Sequence, residues 1–234
     1  MIRAAAVTIA LATALAVGVA PGQAAGECNG LKICIPVAGP WVKISAPAKG
    51  TAATALWRLV CPQGVVGGVD ARASDKAVAV EFPGRLGSPV NPGITTLRSL
   101  VFKGTFAAAP HPTSYKPYIG CLPGGGGGPR TPTSLAAASD IKPGEAIATR
   151  VITLEVVAGR LTRATLRCKP EERLLSARHS IGLYTTHVPT RAELAAVRVV
   201  QVRHGGRVLV SARRQPGLAA DVHVQVQVLA ECAL

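Results

Sequence analysis

The sequence predicts an all-β protein: two small disulfide-closed β-sandwich-like domains joined by a Gly/Pro-rich linker. Three observations lead there. Val222, Val224, Val226 and Val228 alternate with His223, Gln225 and Gln227, so one strand face is apolar and the other polar. Runs rich in Val, Leu and Thr are separated throughout by short Gly or Pro breaks. The six cysteines fall so that two near-equal intervals each enclose one set of such runs.

Residues 1–25 come first. Arg3 precedes an apolar, Ala-rich stretch that ends in Pro21-Gly22-Gln23-Ala24-Ala25, the layout of a secretory signal with small residues at the cleavage point. Residues 26–121 form the first expected domain. Its strands are read at 41–45, 52–61, 77–82 and 97–106, with a long Pro- and Gly-containing loop at 83–96. Long ordered loops on a sheet are favoured binding places, which makes Arg85 and Asn91 candidate contacts.

Gly124 to Gly128, followed by Pro129 and Pro132, mark a linker at 122–138. No Gly-Lys-Ser/Thr follows those glycines, so they are not a phosphate cradle. The second domain, 139–234, reads as two hairpins and a final strand. One hairpin joins 150–157 to 160–168 through Ala158-Gly159; the other joins 197–203 to 207–213 around His204-Gly205-Gly206. Between them Thr190-Arg191-Ala192-Glu193 has capping-box spacing and opens one helical turn at Leu194-Ala195-Ala196.

After removal of the leader, Cys28, Cys34, Cys61, Cys121, Cys168 and Cys232 form an even set, as in exported disulfide-bonded chains. Spacing favours a local Cys28–Cys34 loop and two long closures, Cys61–Cys121 and Cys168–Cys232. Each long loop is expected to stabilise the fold by roughly 4 kcal/mol and the short one by roughly 2, if bridges act through the unfolded chain's entropy. The surroundings also repeat: Leu59-Val60-Cys61-Pro62 returns at Ile119-Gly120-Cys121, and Leu166-Arg167-Cys168-Lys169-Pro170 at Ala230-Glu231-Cys232. Two units of related design follow.

The run Cys34-Ile35-Pro36-Val37-Ala38-Gly39-Pro40-Trp41-Val42, the loop Gly87-Ser88-Pro89-Val90-Asn91-Pro92-Gly93-Ile94-Thr95-Thr96 and the segment Pro117-Tyr118-Ile119-Gly120-Cys121 resemble uncharacterised exported proteins of high-GC Gram-positive bacteria. The Cys168 to Cys232 unit is similar to small disulfide-closed β-domains of secreted proteins in that group. The resemblance implies a secreted envelope protein and carries no activity or site residue.

Catalytic and metal chemistry find little support. An oxidised, even set of cysteines leaves no thiolate nucleophile. Gly87-Ser88-Pro89 lacks the second glycine of a nucleophile elbow. The histidines His111, His179, His187, His204 and His223 have no metal-ligand spacing, although His179 and His187 could approach across strands. Glu171-Glu172 are neighbours in one turn, where a glycosidase needs carboxyls facing across a cleft. No cofactor or metal is expected.

What remains is charge. With 26 Lys+Arg against 12 Asp+Glu the chain carries +14, and both halves share the excess. Aromatics make up only 3 %, too few for base-stacking platforms, and no nucleic-acid recognition motif appears. Arg163 and Arg167 share a strand face by even spacing, as do Arg207 and Arg213. The expected function is therefore non-catalytic: a secreted binding or structural protein of the cell envelope, with no membrane span once the leader is gone. Its basic faces and the 83–96 loop would contact an anionic polymer or an extracellular protein. The alternative is a secreted hydrolase whose residues meet only in space.

Overall fold

The computed structural model describes residues 26–29, 31, 33–82, 98–123 and 147–233. Within them lie thirteen strands, one short 3-10 turn (Gly26–Cys28) and one α-helix, and every strand pairing is antiparallel. The first half holds β1 (Ile35–Ala38), β2 (Trp41–Ile44), β3 (Ala53–Val60), β4 (Val65–Ala73), β5 (Ala79–Glu81), β6 (Ser99–Phe106) and β7 (Thr113–Leu122). The second holds β8 (Ile147–Glu155), β9 (Leu161–Arg167), β10 (Arg173–Tyr184), helix α1 (Arg191–Ala195), β11 (Val197–His204), β12 (Arg207–Arg214) and β13 (His223–Ala233).

A seven-stranded central sheet runs through both halves in the order β1-β7-β2-β10-β13-β8, with β4 also on β7. β4 takes one edge of β7; β1 and β2, separated by Gly39-Pro40, take the other in succession, against Tyr118 to Cys121 and Thr113 to Tyr115. The halves join where Val42 and Trp41 of β2 meet Gly182 and Leu183 of β10. Two three-stranded sheets, β3-β6-β5 and β11-β12-β9, complete the molecule.

The small sheets cover opposite faces of the central one. A side chain at Gly182 would strike Pro40 and Trp57 of β3, so that face of β10 looks toward β3-β6-β5. Its neighbour Leu183 points the other way, into the core shared with β11-β12-β9. Unit one lays its chain through central, small, central, small, small and central sheets, and unit two repeats that order. Left-to-right order is kept, as β4-β7-β2 and then β10-β13-β8, while strand direction and covered face both invert. A half-turn about an axis across the strands, plus a translation along it, relates the units.

The bridges observed are Cys28–Cys34, Cys61–Cys121 and Cys168–Cys232, as the spacing suggested. Each long bridge ties the end of a small-sheet strand, β3 or β9, to a central strand, β7 or β13. The cores differ in material. The first packs Trp57, Phe102, Phe106 and Tyr115 with Val42, Ile44 and Ile119, whereas the second is aliphatic, built on Val, Leu, Ile and Ala. Tyr115 shares its hydroxyl proton between the carbonyls of Ala55 and Phe102 at 3.2 and 3.1 Å, and its burial pushes the phenol pKa far up.

Two expectations need correction. Strands 150–157 and 160–168 are not hairpin partners: β8 pairs with β13 and β9 with β12, so Ala158-Gly159 carries the chain from one sheet to the other. Leu154 and Val156 face Leu166 and Ala164 across the second core, which buries more apolar area than lying side by side. The polar face of the 222–228 strand is not solvated throughout either; Gln227 is buried under β3. The capping box forms, with Glu193 N–H on the Thr190 hydroxyl at 3.2 Å and Thr190 N–H on the Glu193 carboxylate at 2.7 Å. Residues 1–25, the 83–96 loop and the linker beyond residue 123 lie outside the described residues.

Candidate anion-binding face

The outer face of β9-β12-β11 carries five exposed arginines of the second unit. Along β12, Val208, Val210 and Ala212 enter the core, which turns Arg207, Leu209, Ser211 and Arg213 outward. On β9 the same alternation buries Leu166 and turns Arg163 and Arg167 out. The hairpin joining β11 to β12 turns on Gly205-Gly206, Gly205 having φ +55°, and places His204 opposite Arg207.

Register then fixes the rows. Arg167 lies opposite Arg207, Arg163 opposite Ser211, and Arg213 opposite Arg198. Arg163, Arg167, Arg207 and Arg213, singled out from the sequence, thus share one face; Arg198 and His204 join them. The latter two could have been found by carrying the hairpin register one strand further. Leu161, Val200, Val202 and Leu209 sit among the cations, each roughly half exposed. An open depression of about 460 Å³ on this face is lined by Leu161, Arg198, Val200, Ser211 and Arg213.

None of these five arginines has an acidic partner among the described residues, and none of the outward positions of the three strands is acidic. Like charges directly opposite on neighbouring strands destabilise a sheet, here at Arg167–Arg207 and Arg198–Arg213. Other arginines nearby are used for structure. Arg203 donates to the Ala177 carbonyl at 2.7 Å, beside the β10 bulge. Arg214 donates to Val222 and Leu218 carbonyls at 2.9 Å and to that of Ala219, closing the connection into β13. Arg150 grips Glu172 at 2.7 Å.

The remaining candidates separate. Arg85 and Asn91 lie outside the described residues. His179 and His187 do not meet: the first bonds Gln201 at 2.9 Å and the second Glu193 at 3.0 Å. No serine or cysteine side chain bonds a histidine ring among the described residues. Cys168, Cys232 and Glu172 come within metal-ligand range of one another, but both sulfurs are bridged and the carboxylate is engaged by Arg150 and Lys169 N–H. The Arg150 guanidinium and that amide hold the Glu172 carboxyl below its ordinary range. No helix among the described residues is long and apolar enough to cross a membrane. Protein-family models, curated proteins and solved structures yield no match to the chain.

Proposed function

We propose that this is an exported, non-catalytic binding protein of the cell envelope that holds an anionic polymer against the outer face of β9-β12-β11. The observation carrying the reading is the pair of like-charged cross-strand contacts, Arg167–Arg207 and Arg198–Arg213, on a face with no acid to neutralise them. A fold selected for stability alone gains by replacing one member of each pair. A polyanion laid across the rows relieves both repulsions at once, and guanidinium groups suit phosphate or carboxylate oxygens. Leu161, Val200, Val202 and Leu209 give the ligand's backbone a dry surface between the charges. A second copy of this chain fits poorly, since each copy is itself strongly cationic.

Three disulfides fit an oxidising compartment outside the cytoplasm. The hydrolase alternative lacks a nucleophile hydrogen-bonded to a histidine among the described residues. The test is retention of the processed protein on isolated cell wall, measured at low and high salt. Strong retention that salt releases supports the proposal. Absent or salt-insensitive retention contradicts it.

A further inference from the structure

The 3-10 turn Gly26–Cys28 is seated on the central sheet by glycines. A Cβ on Gly68 of β4 would come within 1.8 Å of the Glu27 carbonyl oxygen, and one on Gly120 of β7 within 2.4 Å. Only bare backbone at both positions lets the turn lie so close, and the Cys28–Cys34 bridge holds its other end. The seating has an unusual electrostatic result. Glu27 is 5 % exposed, and its Oε2 has no hydrogen-bond partner among the described residues. Asp70 stands beside it, with Oδ2 accepting from Gly26 N–H at 2.6 Å and Oδ1 accepting from Ala71 N–H at 2.7 Å. Burial pushes the Glu27 carboxyl above its ordinary range, its own backbone amide opposes that, and Asp70 adds to the rise. Among the described residues, the other titratable groups around the turn are Arg72 of β4, which lies over Trp41, and Lys116 and Tyr118 of β7.

Two neighbouring carboxyls, one of them buried and unsatisfied, call for a cation, and the Gly26 nitrogen already stands 2.6 Å from Asp70 Oδ2. We propose that the leader is cut between Ala25 and Gly26, and that the Asp70–Glu27 niche is the binding site for the α-ammonium this releases. A signal peptidase would add water across the Ala25–Gly26 peptide bond. The C–N bond breaks, the leader departs with the new Ala25 carboxylate, and the Gly26 nitrogen is protonated. The amide hydrogen bond to Asp70 becomes a charge-assisted one, and the positive charge offsets the two carboxylates of the niche. Processing thus completes the fold at the point where the chain begins.

The inference rests on export, and the experiment separates the two. The full chain is produced in an exporting host, and its amino terminus is read by intact mass and end sequencing. Asp70→Asn is then compared with the parent in two backgrounds: the chain starting at Gly26, and the same chain carrying a three-residue extension. The α-amino pKa of the first is measured by NMR. Expected are a Gly26 terminus, an α-amino pKa above the usual range of about 7.7–8.0, and a Tm loss from D70N larger by about 2–4 °C in the Gly26-start background. A retained leader overturns export and the niche together. A cut at any other bond, equal Tm losses in both backgrounds, or an ordinary α-amino pKa overturns the niche alone.

Discussion

Arg58 and Gln227, far apart in sequence, exchange two hydrogen bonds: Arg58 N–H donates to Gln227 Oε1 at 2.6 Å, and Gln227 Nε2 donates to the Arg58 carbonyl at 3.1 Å. The glutamine amide acts as a one-residue strand, pairing with the edge of β3 that β6 does not occupy. Ser180 repeats the device two residues back, accepting from Leu56 N–H at 3.1 Å. An open sheet edge is in this way closed by side chains of the other unit.

Gln227→Leu keeps the volume and leaves both Arg58 groups without partners. A loss of about 1–3 kcal/mol is expected in urea unfolding. Gln227→Glu, which accepts but cannot donate, is expected to lose at least as much at neutral pH. Unchanged midpoints for both variants would mean that the edge contact contributes nothing to joining the units.

Arg207→Gln removes one member of a like-charged cross-strand pair. Stability at low salt is expected to rise by about 0.2–1 kcal/mol, while retention on anionic polymer falls. The opposite signs are the point: a merely structural arginine would lower both. Thermal melts and binding on the same preparation check it.

Much of this architecture was legible in the sequence. The 60- and 64-residue disulfide loops, the capping box at Thr190, the hairpin at Gly205-Gly206 and the shared face of Arg163 and Arg167 all follow from spacing and period. Four central strands were hidden, among them the four-residue β1 with its Pro36. β4 carries Gly67-Gly68 and Asp70, β7 contains Pro117, and β10 has Ser180 and Gly182 where a period-two reading wants apolar residues. Each departure serves a long-range contact: Gly68 admits the Gly26–Cys28 turn, Pro117 packs on Gly39, and Gly182 admits Trp57. Local propensity cannot register a neighbour that lies tens of residues or more away in sequence. The β8–β9 error has a similar origin, since a turn residue marks a reversal without saying which sheet receives the next strand.

Cys168→Ala with Cys232→Ala opens the second long loop while leaving the first bridge intact. A loss of about 2–5 kcal/mol is expected, measured by guanidinium unfolding. Because the bridge ties β9 to β13, hydrogen exchange should rise first in β9-β12-β11. Exchange rising first in the β3-β6-β5 sheet would contradict the assignment of that bridge to the second unit.

Glu172, held by Arg150, has a folded-state pKa below the ordinary 4.5. A depressed carboxylate contributes stability above its unfolded pKa and loses it as pH falls through the folded value. The wild-type urea midpoint is therefore expected to drop more between pH 6 and pH 3 than that of Glu172→Gln. Parallel pH curves for the two proteins would show that the ion pair has no linkage to folding.

The most direct test of the binding face is a salt titration of affinity for a soluble poly(glycerol phosphate), comparing wild type with a variant in which Arg163, Arg167, Arg207 and Arg213 are all serine. The expected result is an affinity that falls linearly in log-log form with salt for wild type, and a much shallower slope with weaker binding for the variant. Equal slopes and equal affinities in the two proteins, with both still folded by circular dichroism, would contradict the account.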